Sequence, residues 1–222
     1  MDATVIKIGG SLALHPEKLR ILCNRLSSAS KKHHILVVPG GGEFADVVRT
    51  VDTRFNLSNS VSHQMAILGM DQYGYLLSDL ISGSLVVNQI DQVQNIFDSH
   101  KCPIFLPSNI MLKNNSLEKS WNVTSDSIAV HIADQAHIKK VILVTDVDGI
   151  FTHDPKKYLG AQLICEISAK QLEAMNRRTS VDTFLPSLLS KMQIECFVVN
   201  GLFPERVEHI LDGQNVICTI IN

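Results

Sequence analysis

The chain has 222 residues, 45% of them hydrophobic and 5% aromatic, and a net charge of -2. That length buries a real core, as one large domain or two fused lobes, and the near-neutral charge offers no global basic field for nucleic acid. No apolar run approaches membrane-spanning length, and Met1-Asp2-Ala3-Thr4 leads into a strand without a basic leader, so a cytoplasmic protein with no membrane partner is expected.

In chain order, an apolar run at 4–8 predicts a first strand, ending in Lys7-Ile8-Gly9-Gly10-Ser11. A helix follows over 16–29, with Leu19, Leu22, Cys23 and Leu26 on one face. A second strand at 35–38 runs into Pro39-Gly40-Gly41-Gly42-Glu43-Phe44-Ala45-Asp46 and a helix over 43–53. Further strands are expected at 85–87, 104–106, 141–144, 196–199 and 216–220. Helices are expected at 60–82, 91–99, 125–136, 168–175, 183–192 and 204–211. Ser168 and Gln171 have the spacing of a capping box, and Pro204 suits a first helical turn. Residues 108–119, with Asn114-Asn115-Ser116, read as an exposed excursion, in the form of a hairpin, and the main break in the pattern falls at 150–163. Alternating strands and helices argue for an α/β protein with a mostly parallel sheet covered by helices.

The two glycine loops are the chemical signal. Glycine lets backbone N–H groups approach an anion, and a following helix N-terminus adds a positive dipole end. A lysine at the end of a buried strand can reach a transferring phosphoryl group across such a loop. A tight strand–helix turn explains either loop taken singly; together they suggest two phosphate-bearing ligands. Gly40, Gly42 and Ala45 fit G-x-G-x-x-A, but the loop does not open the chain and no acidic residue closes a following strand, so an anion-binding nest is preferred to a dinucleotide fingerprint. Thr124 or Ser125 is placed to cap the helix over 125–136, with Asp126 in its first turn, and capping leaves Asn122 unexplained. Thr145-Asp146-Val147-Asp148-Gly149 closes the clearest strand, at the edge where α/β proteins bind ligands; a simple turn with Asp148-Gly149 at its tip is the plainer alternative.

Nine histidines show no metal-ligand spacing, so no metal ligands are assigned, and no P-loop or hydrolase elbow occurs. Five scattered cysteines without a C-x-x-C pair read as reduced thiols.

Taken together and in this order, the motifs resemble the amino acid kinase superfamily, which includes acetylglutamate kinase, aspartokinase, uridylate kinase and isopentenyl phosphate kinase. The resemblance implies a three-layer α-β-α sandwich over 1–222 as a single domain, with 1–120 mainly binding the acceptor and 121–222 mainly the nucleotide. It implies ATP as donor with Mg²⁺, a small phosphorylated acceptor and a homo-oligomer. Lys7 and Asp126 take the catalytic positions. Gly9, Gly10, Ser11, Thr145, Asp146, Asp148, Gly149, Phe151 and Lys156 border the nucleotide. Gly40, Gly41, Gly42, Asp46, His63 and Asn122 fall to the acceptor, His63 by analogy with isopentenyl phosphate kinases. Many members carry a second lysine before the late helix, where this chain reads Ser180-Val181-Asp182-Thr183-Phe184-Leu185-Pro186. Lys191, Arg177 or Arg178 substitutes for it, or Lys7 and the metal suffice. The segment 63–74, with Val181-Asp182 and Leu185-Pro186, is similar to the small archaeal kinases of methanofuran biosynthesis, which convert a furanylmethyl phosphate to its diphosphate. Isopentenyl phosphate, uridylate and carboxylate acceptors are the alternatives within the superfamily, and a non-catalytic nucleotide-binding protein is the alternative outside enzymes.

Overall fold

The computed structural model describes residues 3–113 and 117–222. The expected parallel sheet forms from strands β1 (Ala3–Ile8), β2 (His34–Pro39), β3 (Ser84–Val87), β4 (Cys102–Phe105), β5 (Lys140–Thr145), β8 (Glu166–Ile167), β9 (Glu195–Asn200) and β10 (Cys218–Ile221). Their spatial order is β3-β4-β2-β1-β5-β9-β10-β8. Every pairing is parallel except β9 with β10. The central strands are apolar on both faces because helices cover both, so their sequences read as continuous runs.

Alternation along β1 and β2 splits the core in two. Ile6, Ile8, Ile35 and Val37 face one side, against α1 (Pro16–Ala29), α9 (Glu205–Leu211) and the Tyr73–Leu77 part of α3 (Asn59–Leu80). Val5, Leu36 and Val38 face the other, against α4 (Asp91–Asp98), α6 (Ser125–Gln135), α7 (Ala169–Ala174) and α8 (Leu185–Leu189). This is the three-layer sandwich that the family resemblance implies. The same alternation puts Lys7 on the α6 side with Val5, although it is a cation in a strand buried along its whole length.

The expected helices form within a few residues of their predicted ends, including α2 (Gly42–Phe55), and the Ser168–Gln171 capping box is present. Four local features differ. Residues 108–119 were expected as a hairpin; Ser108–Lys113 is instead a short helix, α5, and Asn114–Ser116 lie outside the described residues. Residues 150–163 carry an antiparallel arm, β6 (Ile150–Phe151) with β7 (Leu163–Ile164). Gly10–Leu14 is a 3-10 turn. The helix expected over 183–192 shrinks to α8, because the Asp182 carboxylate takes the Phe184 and Leu185 N–H groups and fixes its start. Four of the five cysteines are buried and all are free thiols. No helix among the described residues is long and apolar enough to cross a membrane.

Candidate active site

The C-terminal ends of β1, β2 and β5 meet at the middle of the sheet. From β1 the chain passes to β2 on one side, and it later crosses from β4 to β5 on the other, so the strand order reverses beside β1, the switch point where open α/β sheets bind ligands. The Gly9 N–H donates to the Val144 carbonyl at 2.8 Å, and the Gly40 N–H donates to the Ile8 carbonyl at 2.8 Å, so the three strand ends are laced together. The two glycine loops touch. A Cβ on Gly10 would lie 2.0 Å from the Gly42 nitrogen and 2.2 Å from its Cα, and Gly42 has a φ of +54°. Glycine at both positions is therefore a condition for the loops to meet.

Lys7 and Asp126 form an ion pair, Nζ to Oδ1 at 2.5 Å, and each residue is only 6% exposed. Burial pushes the Asp126 carboxyl up; the Lys7 ammonium pulls it down and the nearby Asp182 carboxylate adds to the rise, with a net upward direction. Thr124 stands at the N-cap position directly before α6, but its side chain does not cap the helix, so the capping role expected of Thr124 or Ser125 belongs elsewhere. Asp182, 3% exposed, supplies the carboxylate. Its Oδ2 accepts from the Thr124 N–H at 2.9 Å, the Thr124 hydroxyl at 3.0 Å and the Ser127 N–H at 3.0 Å. Its Oδ1 accepts from the Ser127 hydroxyl at 2.6 Å, the Phe184 N–H at 3.2 Å and the Leu185 N–H at 2.9 Å. The Asp182 N–H in turn donates to Asp126 Oδ2 at 3.2 Å. The Asp182 side chain thus ties the starts of α6 and α8 together, and its backbone N–H holds the far oxygen of the Lys7–Asp126 pair.

Around this pair lies a cleft of about 310 Å³, into which Lys7, Gly9, Gly10, Ser11, Gly41, Gly42, Asp46, His63 and Asp126 all open. Burial pushes the His63 pKa down, which leaves the ring neutral at pH 7. The sequence reading missed two lining residues. Arg49 pairs with Asp46 at 2.6 Å and stacks 4.6 Å over Trp121, whose indole N–H donates to Asp52 at 2.9 Å. A guanidinium held over an indole keeps further N–H donors for an anion. The one tryptophan in the chain, directly before Asn122, was the signal for this wall.

A second cavity of about 440 Å³ opens beside the first, lined by Thr145, Asp146, Gly149, Phe151 and Lys156 among others. Burial pushes the Asp146 carboxyl up, but the hydrogen bond and charge of Lys156, at 2.5 Å, outweigh it and hold the group below the usual carboxylate range. Three expected residues lie elsewhere. Asp148 lines neither cavity, because its Oδ1 accepts from Asn200 at 3.1 Å and from Arg206 at 2.5 Å. Asn122 opens into a third depression beside Asp182. Gly40 is packed against Gly10 and the Ile8 carbonyl, where it supports the loops rather than lining the cleft.

Two adjoining cavities, two touching glycine loops and a buried lysine at their meeting point define an enzyme of phosphoryl transfer. The chain belongs to the amino acid kinase family, whose sequence pattern matches residues 2–200. It is 38% identical over 218 residues to [5-(aminomethyl)furan-3-yl]methyl phosphate kinase of Methanocaldococcus jannaschii, covering 98% of this chain and 96% of that protein. It is 27% identical to the molybdenum storage protein subunit beta of Azotobacter vinelandii, covering 97% and 84% respectively. Among solved structures, the uridylate kinase of Archaeoglobus fulgidus shares the fold, with a TM-score of 0.79, 21% identity and coverage of 99% and 100%.

Proposed function

We propose that the protein transfers the terminal phosphoryl group of ATP to a small phosphomonoester, making a diphosphate, and that the acceptor is [5-(aminomethyl)furan-3-yl]methyl phosphate. The buried Lys7–Asp126 pair at the meeting of the two glycine loops carries the reading of the reaction. The similarity to the M. jannaschii kinase, which runs through nearly the whole chain, supports the acceptor.

In this reading the second cavity holds the nucleotide, with Lys156 at its rim and its terminal phosphates reaching the Gly9–Ser11 loop in the first, and the first holds the acceptor phosphate near Arg49 and His63. Acceptor binding draws mainly on residues 1–120 and nucleotide binding mainly on 121–222, within one domain. The acceptor oxygen belongs to a phosphate that is already ionised at neutral pH, so no strong base is needed. Asp126 orients Lys7, and Lys7 neutralises charge on the moving group; positioning and electrostatics do the rest. Among the described residues no three His, Cys, Asp or Glu side chains gather as a metal site, and Asp146 and Asp148 are each bound to a cationic side chain. A magnesium ion that enters with the nucleotide would supply further charge neutralisation there.

We read the protein as a cytoplasmic homo-oligomer. Leu68 and Tyr75 of α3, with Val47 of α2, are 47%, 60% and 62% exposed, an apolar surface suited to a second copy. Light scattering of the purified protein tests this, and a monomer at micromolar concentration contradicts it. The function is tested with Mg-ATP and a panel of the furanylmethyl phosphate, isopentenyl phosphate, UMP, acetylglutamate and aspartate. ADP release should be fastest with the first. Stimulation by another acceptor moves the assignment within the family. No stimulation by any of them favours a nucleotide-binding protein that does not catalyse transfer.

A further inference from the structure

The two cavities share a wall, and a phosphoryl group moving from donor to acceptor must cross it. Three residues line both cavities: Thr145, Arg178 and Ser180. Only Arg178 is charged. Its backbone is held from either side. The Arg177 guanidinium donates to the Phe151 and Thr152 carbonyls at 3.0 and 2.7 Å, and the Ser180 hydroxyl donates to the Gly149 carbonyl at 2.9 Å. Those contacts pin 177–180 to the β6–β7 arm and the loop before it. The Arg178 side chain, by contrast, is exposed and makes no hydrogen bond or ion pair with any described residue. Arg177 is spent on the arm, and Lys191 lines neither cavity. Lys7 opens into the first cavity from the buried side, already paired to Asp126. Among the described residues the wall that the two cavities share has one cation, Arg178, anchored at its backbone and uncommitted at its head.

We propose that Arg178 is the second cation of the transfer step, meeting the moving phosphoryl group from the solvent side at the junction of the two cavities. This rests on the phosphoryl-transfer reading above. In the step, an oxygen of the acceptor phosphate forms a bond to the terminal phosphorus of ATP. The bond from that phosphorus to its bridging oxygen breaks, and the electron pair leaves with ADP; no proton is exchanged. Charge builds on the equatorial oxygens and the bridging oxygen, within reach of a planar, always-charged guanidinium with several donors. A contact made chiefly at that stage raises kcat rather than tightening either substrate.

The test is steady-state kinetics of the full chain with Mg-ATP and the fastest acceptor of the panel, for wild type, Arg178→Ala and Arg178→Lys. Arg178→Ala should lose kcat by about 10²–10³-fold, the scale for removing one preorganised donor to the transition state, with both KM values within a few-fold. Arg178→Lys should recover part of the loss, and added guanidinium ion should raise the rate of Arg178→Ala but not of wild type. A kcat for Arg178→Ala within about three-fold of wild type, a loss confined to KM, or a loss that guanidinium does not relieve overturns the assignment. Those results, with an active wild type, leave the kinase reading standing. A wild type that phosphorylates no acceptor removes both.

Discussion

Replacing Asp182 tests whether one buried carboxylate holds the active site in shape. Each of its oxygens accepts three hydrogen bonds, four of the six from backbone N–H groups that begin α6 and α8. Hydrogen bonds to a charged group contribute roughly 1.5–3 kcal/mol each, and a buried donor left unpaired costs about 1–3 kcal/mol, though neighbouring contributions do not add in full. With four backbone donors orphaned, Asp182→Ala should lose about 4 kcal/mol or more, a large share of a typical domain's stability. Asp182→Asn keeps one acceptor oxygen and turns an amide NH₂ toward the donors that the other oxygen served. Its loss should be intermediate, about 2–3 kcal/mol, if half the bonds survive. Urea unfolding of the three proteins, compared through their midpoints at constant slope, measures both values. If Asp182→Ala falls within about 1 kcal/mol of wild type, below even the cost of one orphaned buried donor pair, Asp182 does not hold the two helix starts together.

Other perturbations separate the remaining parts of the account. Gly10→Ala places a methyl group about 2 Å from the Gly42 backbone, so the loops must part. It should abolish turnover and lower the melting temperature, and a variant with native kcat contradicts the loop contact. His63 and His131 are both buried with pKa values below the usual 6.5. The unfolded chain therefore binds more protons than the folded one between those lowered values and 6.5, so this stability is present above 6.5 and lost as pH falls. The His63→Gln, His131→Gln double variant should show a flatter stability profile between pH 5.5 and 7.5 in urea titrations; an unchanged slope refutes the assignment.

Much of the fold is visible in the sequence because its signals are local. The runs of β1, β2 and β5 are long enough to read. The period of two puts Lys7 on the face opposite Ile6 and Ile8, and the fold places α6 on that face. The arm strands β6 and β7 have two residues each, too few for any period to appear. Residues 108–113 have too little pattern to declare a helix before the chain leaves the described region. For the site, composition located the loops but not their contact, since Gly10 and Gly42 meet only through the pairing of β1 with β2. Asp148 looked like a ligand at a turn tip, whereas its partners, Asn200 and Arg206, come from the far end of the chain. Asp182 was read as the place of a missing lysine. Its role as a cap for α6 depends on packing across more than fifty residues of sequence, which no local pattern records.

The most direct measurement follows phosphorus through the reaction by NMR, with Mg-ATP and the furanylmethyl phosphate, for wild type and Lys7→Ala. Wild type should convert the monoester signal into a coupled pair of diphosphate signals, matched by ADP. Lys7→Ala, which loses the cation that sits 2.5 Å from Asp126, should slow this by about 10³-fold or more. A wild type that forms no diphosphate from any acceptor in the panel, or a Lys7→Ala variant that keeps full turnover, would contradict the account.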